Sequence, residues 1–359
     1  MKKFKILAIN PGSTSTKISV FKEDDEIFTE TIRHSAEDIQ QFKKIIDQFE
    51  FRKNIIEKIL NVNHLLDEGL DAVVGRGGLL RPLSGGTYLI GDAILRDLRA
   101  GVSGEHASNL GGIIAHEIGE DFNIPSYIVD PVVVDEFEPV ARISGIPEIE
   151  RKSIFHALNQ KAVARSYAKE IGKPYENLNL IVVHMGGGIT IGSHKNGRVI
   201  DVTNALDGEG PLSSERSGAL PAGDIIKMCF EKKYDQDFIK KRLVGKGGAV
   251  AYLGTNSIIE VLDLIEKGDK KAELIFDAVI YQISKEIGAF STVLKGEVDA
   301  IILTGGMAYS EKIIDLLKER VDFIAPIKVY PGEHEMSALA QGALRILKKE
   351  ETPLIYNPD

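Results

Sequence analysis

Residues able to do chemistry crowd into a few short stretches of this 359-residue sequence. The first is "ILAINPGSTSTKISVF", from Ile6 to Phe21, where Asn10, Pro11 and Gly12 lead into Ser13, Thr14, Ser15, Thr16 and Lys17. Glycine lets a backbone approach a ligand closely, hydroxyls donate to anionic oxygens, and lysine adds charge, which together suit a phosphate. The same residues also make an ordinary polar hairpin turn. A Walker A loop does not fit, because no glycine precedes Lys17 and because Ile18 and Val20 alternate as in a strand. A second candidate is "HMGGGITI", in which His184 precedes Gly186, Gly187 and Gly188. His156 falls in "RKSIFHALNQ", in the first turn of a helical pattern that Ser153 could cap, where the helix terminus favours an anion. Arg76 ends an apolar strand between glycines, and Arg216 stands in the polar loop "DGEGPLSSERSGALP" beside Glu215, a potential ion-pair partner. Asp130 ends another apolar strand before Pro131, with Asp135 nearby. Glu333 and Glu335 flank His334, and Glu335 also suits the first turn of the last helix. Arg81 and Arg96 read as surface residues.

These groups are spaced along a duplicated pattern. "FKILAINPGSTSTKISVFKEDDEIFTETI" (4–32) and "LNLIVVHMGGGITIGSHKNGRVIDVT" (178–203) both run strand, glycine turn, strand, polar turn, strand. His184 and Gly186 occupy the places of Asn10 and Gly12. "LDAVVGRGG" (70–78) matches "VDAIILTGG" (298–306), each a buried strand of parallel type ending in Gly-Gly. Helical periodicity covers 38–61, 108–122, 153–172, 271–294 and 335–347. The expectation is an α/β protein of two duplicated domains. The first spans 1–135, with a closing segment 338–359 packed back on it; the second spans 136–337, with a helical insertion at 206–295. Two phosphate-friendly hairpins in such a pair would clamp a nucleotide tail.

Composition narrows the classes. A hydrophobic content of 43% and a charged content of 27% suit a globular protein, and a net charge of −9 argues against a nucleic-acid partner. The single Cys229 excludes an intrachain disulfide, fits a cytoplasmic setting and reads as a small buried hydrophobe. No apolar run is long enough for a membrane span, and the one before Asn10 is too short for a signal-peptide core.

Taken in order, the motifs resemble the acetate and butyrate kinase family, within the acetate and sugar kinase, Hsp70 and actin superfamily. "AINPGSTSTK" is similar to the family's opening signature, "HMGGGITI" to its second phosphate hairpin and "ILTGGMAYS" to its adenosine-side turn. The resemblance runs nearly end to end and implies two actin-like (ribonuclease H-like) domains with a nucleotide cleft between them. It implies phosphate contacts from Asn10, Gly12, Ser13, Ser15, Lys17, His184, Gly186, Gly187 and Gly188, with Gly305, Gly306 and Met307 at the adenosine. Arg76 keeps the family arginine, and Arg216 matches the arginine of Met-Gly-Thr-Arg-x-Gly, here Ser-Ser-Glu-Arg-Ser-Gly. His156 matches the histidine of Phe-His-Gly, with Ala157 in place of glycine, and His106 loosely resembles a further element. All three matched residues are implied to neutralise the transferred phosphoryl group or the acid. Asp130 is implied to serve Mg²⁺ with Glu335 or Glu333, the family's adjacent glutamates being split here by His334.

The implied reaction is reversible: ATP and butanoate give ADP and butanoyl phosphate, in the cytoplasm, from a homo-oligomer. Where the acetate kinase branch has His-Arg-Val-Val-His-Gly-Gly, this chain reads "VVGRGGLLRPLSGGTYLI", and it is shorter than that branch. Both departures point to butyrate or isobutyrate as substrate, with Leu79 and Leu80 available to line an acyl pocket. The alternatives are an acetate, propionate or branched-chain acid kinase and, further off, a sugar kinase or a non-enzymatic actin-like ATPase.

Overall fold

The computed structural model describes residues 2–204 and 206–358. Its chain divides into two compact units, Met1–Val134 with His334–Asp359, and Asp135–Glu333. In the first, β1 (Lys5–Pro11), β2 (Ser15–Lys22) and β3 (Asp25–Arg33) form an antiparallel meander. Strands β4 (Ala72–Arg76), β5 (Thr87–Leu89) and β6 (Ser126–Val129) extend it, and the short β12 (Leu354–Ile355) closes the order β12-β5-β6-β4-β1-β2-β3. β4 is parallel to both β1 and β6.

The second unit repeats the plan with β7 (Leu180–Met185), β8 (Ile189–Lys195), β9 (Arg198–Val202), β10 (Ala300–Gly305) and β11 (Ile327–Pro331), ordered β11-β10-β7-β8-β9. Here β7 and β10 run parallel, as β1 and β4 do. Their apolar runs are continuous because both faces are covered. Ile181, Val183, Ile301 and Leu303 pack with Phe276, Ile280, Ile283 and Ile287. Leu180, Val182, Ala300 and Ile302 pack with Val163, Ala164 and Tyr167.

Five helices matter for the site: α1 (Phe49–Val62), α2 (Asn109–Phe122), α3 (Ala157–Glu170), α4 (Lys270–Val293) and α5 (Glu335–Leu347). Three expectations fail. The helical stretch 38–61 is broken, because Ser35 and Asp38 cap a five-residue helix and the chain restarts where the Lys44 N–H donates to Asp47 Oδ2. α3 begins four residues beyond Ser153, with His156 as its N-cap; the His156 carbonyl accepts from the Gln160 N–H while its ring turns elsewhere. Cys229 is exposed, because helix Ala222–Phe230 buries none of its residues. Among the described residues no helix is long and apolar enough to cross a membrane.

Candidate active site

In the first unit the parallel strands deliver their C-terminal residues to one edge, where open α/β sheets bind ligands. The register pairs Ile9 with Gly75 and Arg76 with Val129, so Asn10, Arg76 and Asp130 emerge side by side. Close packing sets this edge: a Cβ on Gly75 would lie 2.1 Å from the Gly111 carbonyl oxygen of α2. The first residue of α5 completes it. Glu335 forms an ion pair with Arg76 through Oε1 and accepts from the Asn10 amide at 2.6 Å through Oε2. Asp130 is buried, sits at the unusual φ of 37°, and its Oδ1 accepts from the Gly86 N–H at 2.7 Å. Asp135 is bound up in a two-pronged pair with Arg142 at 2.6 and 2.7 Å. His106 bonds Ser108, and desolvation followed by the nearby Arg76 charge hold its imidazole below the ordinary value.

The Gly12–Ser15 turn is closed by the Gly12 N–H donating to the Ser15 carbonyl at 2.7 Å. Ser13 and Thr14 are exposed, and Lys17 lies on the outer face of β2 opposite Asn10. Behind the turn lies Arg52 of α1, a residue that sequence reasoning missed. Its only sequence signal is a cation in step with Ile56 and Leu60, at the i+4 and i+8 positions of the buried stripe.

The second unit gathers its own cluster. His156 and His184 stack with ring centroids 3.8 Å apart at 12°. Asn159, also missed, donates through Nδ2 to the Glu333 carbonyl at 2.7 Å, which turns its Oδ1 to His184 Nδ1 at 2.8 Å. That arrangement puts the imidazole proton on Nδ1. Thr190 Oγ1 accepts from Gln160 and is placed to donate to His156 Nδ1 at 2.9 Å. The hairpin at Gly186, Gly187 and Gly188 is held from behind by Ser213, whose hydroxyl donates to the Gly187 carbonyl at 2.7 Å.

Arg216 packs directly on this hairpin: a Cβ on Gly188 would fall 2.2 Å from its Nη1. No ion pair reaches Arg216 among the described residues, including from Glu215, and its buried Nε has no hydrogen-bond partner. Burial holds the guanidinium below its ordinary value, with Glu215 only partly offsetting this. A desolvated cation with an unused donor beside a glycine hairpin is equipped for an anion.

Gly305, at φ 89°, admits the close passage of Met185, whose carbonyl oxygen would be 2.4 Å from any Cβ there. Gly306 faces open space. Met307 is buried and lines a narrow apolar recess with Ile258, Val261, Phe276 and Val279. Glu333 is exposed, with its backbone rather than its position on a helix tying it to Asn159. Leu80 is fully buried in the first unit's core and cannot line an acyl pocket, whereas Leu79 is partly exposed and its N–H donates to Asn109.

The duplicated meanders and glycine hairpins define the class: an α/β protein of actin-like (ribonuclease H-like) fold. Acetate kinase from Porphyromonas gingivalis superposes with a TM-score of 0.78 at 19% identity, covering 96% of this chain and 100% of that one. A propionate kinase from Francisella tularensis subsp. tularensis SCHU S4 gives 0.72 at 19% identity, covering 94% and 98%. Acetate kinase from Entamoeba histolytica gives 0.73 at 18%, covering 95% and 99%. The chain itself belongs to the acetokinase family, whose model matches residues 148–341, more than half its length. That family comprises carboxyl-group phosphotransferases that use ATP and Mg²⁺.

The donor set bears on that ion. Among the described residues no group of three or more histidine, cysteine or acidic side chains could hold a metal. Mg²⁺ accepts this, since it keeps several waters and takes one or two carboxylates plus substrate phosphates. At the Asn10 and Arg76 edge both oxygens of Glu335 are engaged, one by the Arg76 guanidinium and one by the Asn10 amide, so it could take such an ion only by giving up one of these partners.

Proposed function

We propose that the chain phosphorylates the carboxylate of a short fatty acid from ATP, with butyrate and isobutyrate as its preferred acids. The observation that carries this reading is Arg216, a half-buried guanidinium with a buried, unused Nε and no carboxylate partner among the described residues. A carboxylic acid with a pKa near ~4–5 is already an anion at neutral pH and needs no general base. It needs cations and donors on the phosphoryl group that comes to meet it. Arg216, His156 and the Gly186–Gly188 hairpin supply these in one unit, and Asn10, Arg76 and the Gly12–Ser15 turn in the other. The carboxylate oxygen bonds to the γ-phosphorus, the bond from phosphorus to the β–γ bridging oxygen breaks, and ADP leaves. Mg²⁺, when bound, would shield phosphate charge; Asp130 with Glu335 or Glu333 would hold it, and Asp130 also accepts from the Gly86 N–H of the neighbouring loop.

A sugar kinase of the same fold would need a carboxylate base for a hydroxyl. Asp130, the acidic group at the end of β6, is instead buried, with Oδ1 accepting the Gly86 N–H. The acid preference rests on the "GRGGLL" segment, where Asn109 pins Leu79 close after Arg76. Two methylenes buried in such a pocket add about 1.6 kcal/mol, or roughly tenfold in kcat/KM over acetate. The test is acyl phosphate trapped as hydroxamate with acetate, propionate, butyrate and isobutyrate, alongside glucose and glycerol in a coupled assay. A preference for acetate would overturn the acid assignment alone. Phosphorylation of a sugar and of none of the acids would overturn the whole reading.

A further inference from the structure

Arg52 is 1% exposed, and no carboxylate pairs with it among the described residues. Every one of its nitrogens is nonetheless engaged. Nη1 donates to the carbonyls of Gly12 and Ser15 and to Thr16 Oγ1, each at 2.9 Å. Nη2 donates to the Ser13 carbonyl at 3.2 Å and to Gln48 Oε1 at 2.8 Å, and Nε also reaches Gln48. The remaining carbonyl of the turn, Thr14, accepts from the His34 N–H at 2.9 Å.

Four successive carbonyls, from Gly12 to Ser15, therefore point into the first unit. Two of the intervening N–H groups, those of Ser13 and Thr14, have no partner among the described residues, and both residues are exposed. Consecutive outward N–H groups form an anion-binding concavity. A guanidinium held against the inner side of that concavity adds an unneutralised positive charge, since its partners here are all neutral. Burying a charge without a counter-ion is costly, and a simple turn staple would be served as well by a neutral donor. Burial lowers the Arg52 guanidinium to about 10, still leaving it charged at neutral pH. The same charge helps keep His34, on the other side of Thr16, below its ordinary value, after the larger effect of burial.

We propose that Arg52 is the positioning residue of a polyphosphate site at the Gly12–Ser15 turn, orienting the outward N–H groups and supplying from behind the charge that a bound phosphate chain neutralises. The ligand class is a terminal polyphosphate, whether from a nucleoside triphosphate or inorganic pyrophosphate. This rests on the phosphotransfer reading above, but its test does not require turnover. Two variants separate charge from stapling: Arg52→Lys keeps the charge and loses the fork, while Arg52→Gln keeps some donors and loses the charge.

Pyrophosphate and ATP affinities are measured by calorimetry on the full chain at several KCl concentrations, together with thermal unfolding with and without pyrophosphate. Arg52→Gln is expected to bind pyrophosphate at least tenfold more weakly than wild type, with a shallower salt dependence and a smaller ligand-induced rise in Tm. Arg52→Lys should bind with intermediate affinity and a salt dependence like that of wild type. If Arg52→Gln unfolds, Arg52→Lys decides alone, since a folded lysine variant without pyrophosphate binding overturns the proposal. A folded Arg52→Gln protein that binds pyrophosphate like wild type makes Arg52 a staple only and overturns it too. If the wild-type chain phosphorylates an acid while the Arg52→Gln affinities are unchanged, only this inference falls. If wild type binds neither pyrophosphate nor ATP, the phosphotransfer reading falls with it.

Discussion

Replacing Gly188 with alanine should disable Arg216 without touching it. An added Cβ would lie 2.2 Å from Arg216 Nη1, 2.4 Å from Cζ and 2.9 Å from Nε. Carbon–nitrogen contacts closer than about 3.4 Å are repulsive, so the guanidinium must retreat by about 1 Å or more. The backbone at Gly188 is open to alanine, and the obstructing atoms are the far end of a flexible side chain, so the fold should absorb the change. A misplacement of about 1 Å in a positioning group can cost roughly 100-fold. Complete loss sets the ceiling: a unit charge 4 Å away at an effective dielectric constant of 20 is worth about 4 kcal/mol, or about three decades in rate. We therefore expect Gly188→Ala to lower kcat/KM for the acid by about 100-fold, with Tm moving by about 2 °C or less. The assay is hydroxamate trapping of acyl phosphate, and a double-mutant cycle with Arg216→Ala identifies the route. If the methyl acts through the guanidinium, adding Gly188→Ala to Arg216→Ala changes nothing further. A full additional loss in the double mutant would mean that the methyl obstructs the phosphate itself, and activity within threefold of wild type would refute the role given to Arg216.

Other outcomes follow from the same geometry. Glu335→Gln removes the charge shared by Asn10 and Arg76 and should raise the Mg²⁺ concentration needed for half-maximal rate several-fold, with an unchanged titration excluding Glu335 as the carboxylate ligand. Gly305→Ala combines φ 89° with a 2.4 Å clash against the Met185 carbonyl and should cost about 3 kcal/mol or prevent folding, as read by urea unfolding. Stability should fall as pH drops from about 6.5 toward about 5.5, the range in which an unperturbed imidazole takes up its proton. Burial holds His194 well below its ordinary value and His34 below it, so the unfolded chain takes up protons that the native state refuses. Each such histidine contributes a slope of at most about 1.4 kcal/mol per pH unit, and His194→Gln should flatten it; an unaltered slope would refute the assignment.

The meanders were legible because each opens on a continuous apolar strand and because glycine turns follow it at matching places in both copies. Strand ends were legible too, since an apolar run closing in Gly-Gly leaves few readings for β4 and β10. Helix starts were less so. Ser153 is a good N-cap in isolation, yet Phe155 is buried and α3 begins only after His156. The contest between Arg216 and Glu215 was open in the sequence, because adjacency says nothing about direction; the chain turns the arginine onto Gly188 and leaves the glutamate to Asn256. Arg52 was invisible for a different reason. One more cation in "QFEFRKN" looks solvated until the turn it serves, nearly 40 residues earlier, is folded beneath it.

The origin of Glu335 carries a consequence for synthesis. Its partner Asn10 precedes it by 325 residues, and Arg76 by 259. At roughly 5–20 residues per second, Asn10 is synthesised between about 15 and 65 s before its partner exists. From its own synthesis until then β6 also lacks α5, against which Val129 packs so tightly that a Cβ on Gly342 would lie 2.4 Å away. The continuous unit Asp135–Glu333 has all of its own residues before then. Production of this protein should therefore pass through a nascent chain with a finished second unit and a first unit still exposing the apolar seat of its last helix. A stop codon placed directly after Glu333 would freeze the chain in that state.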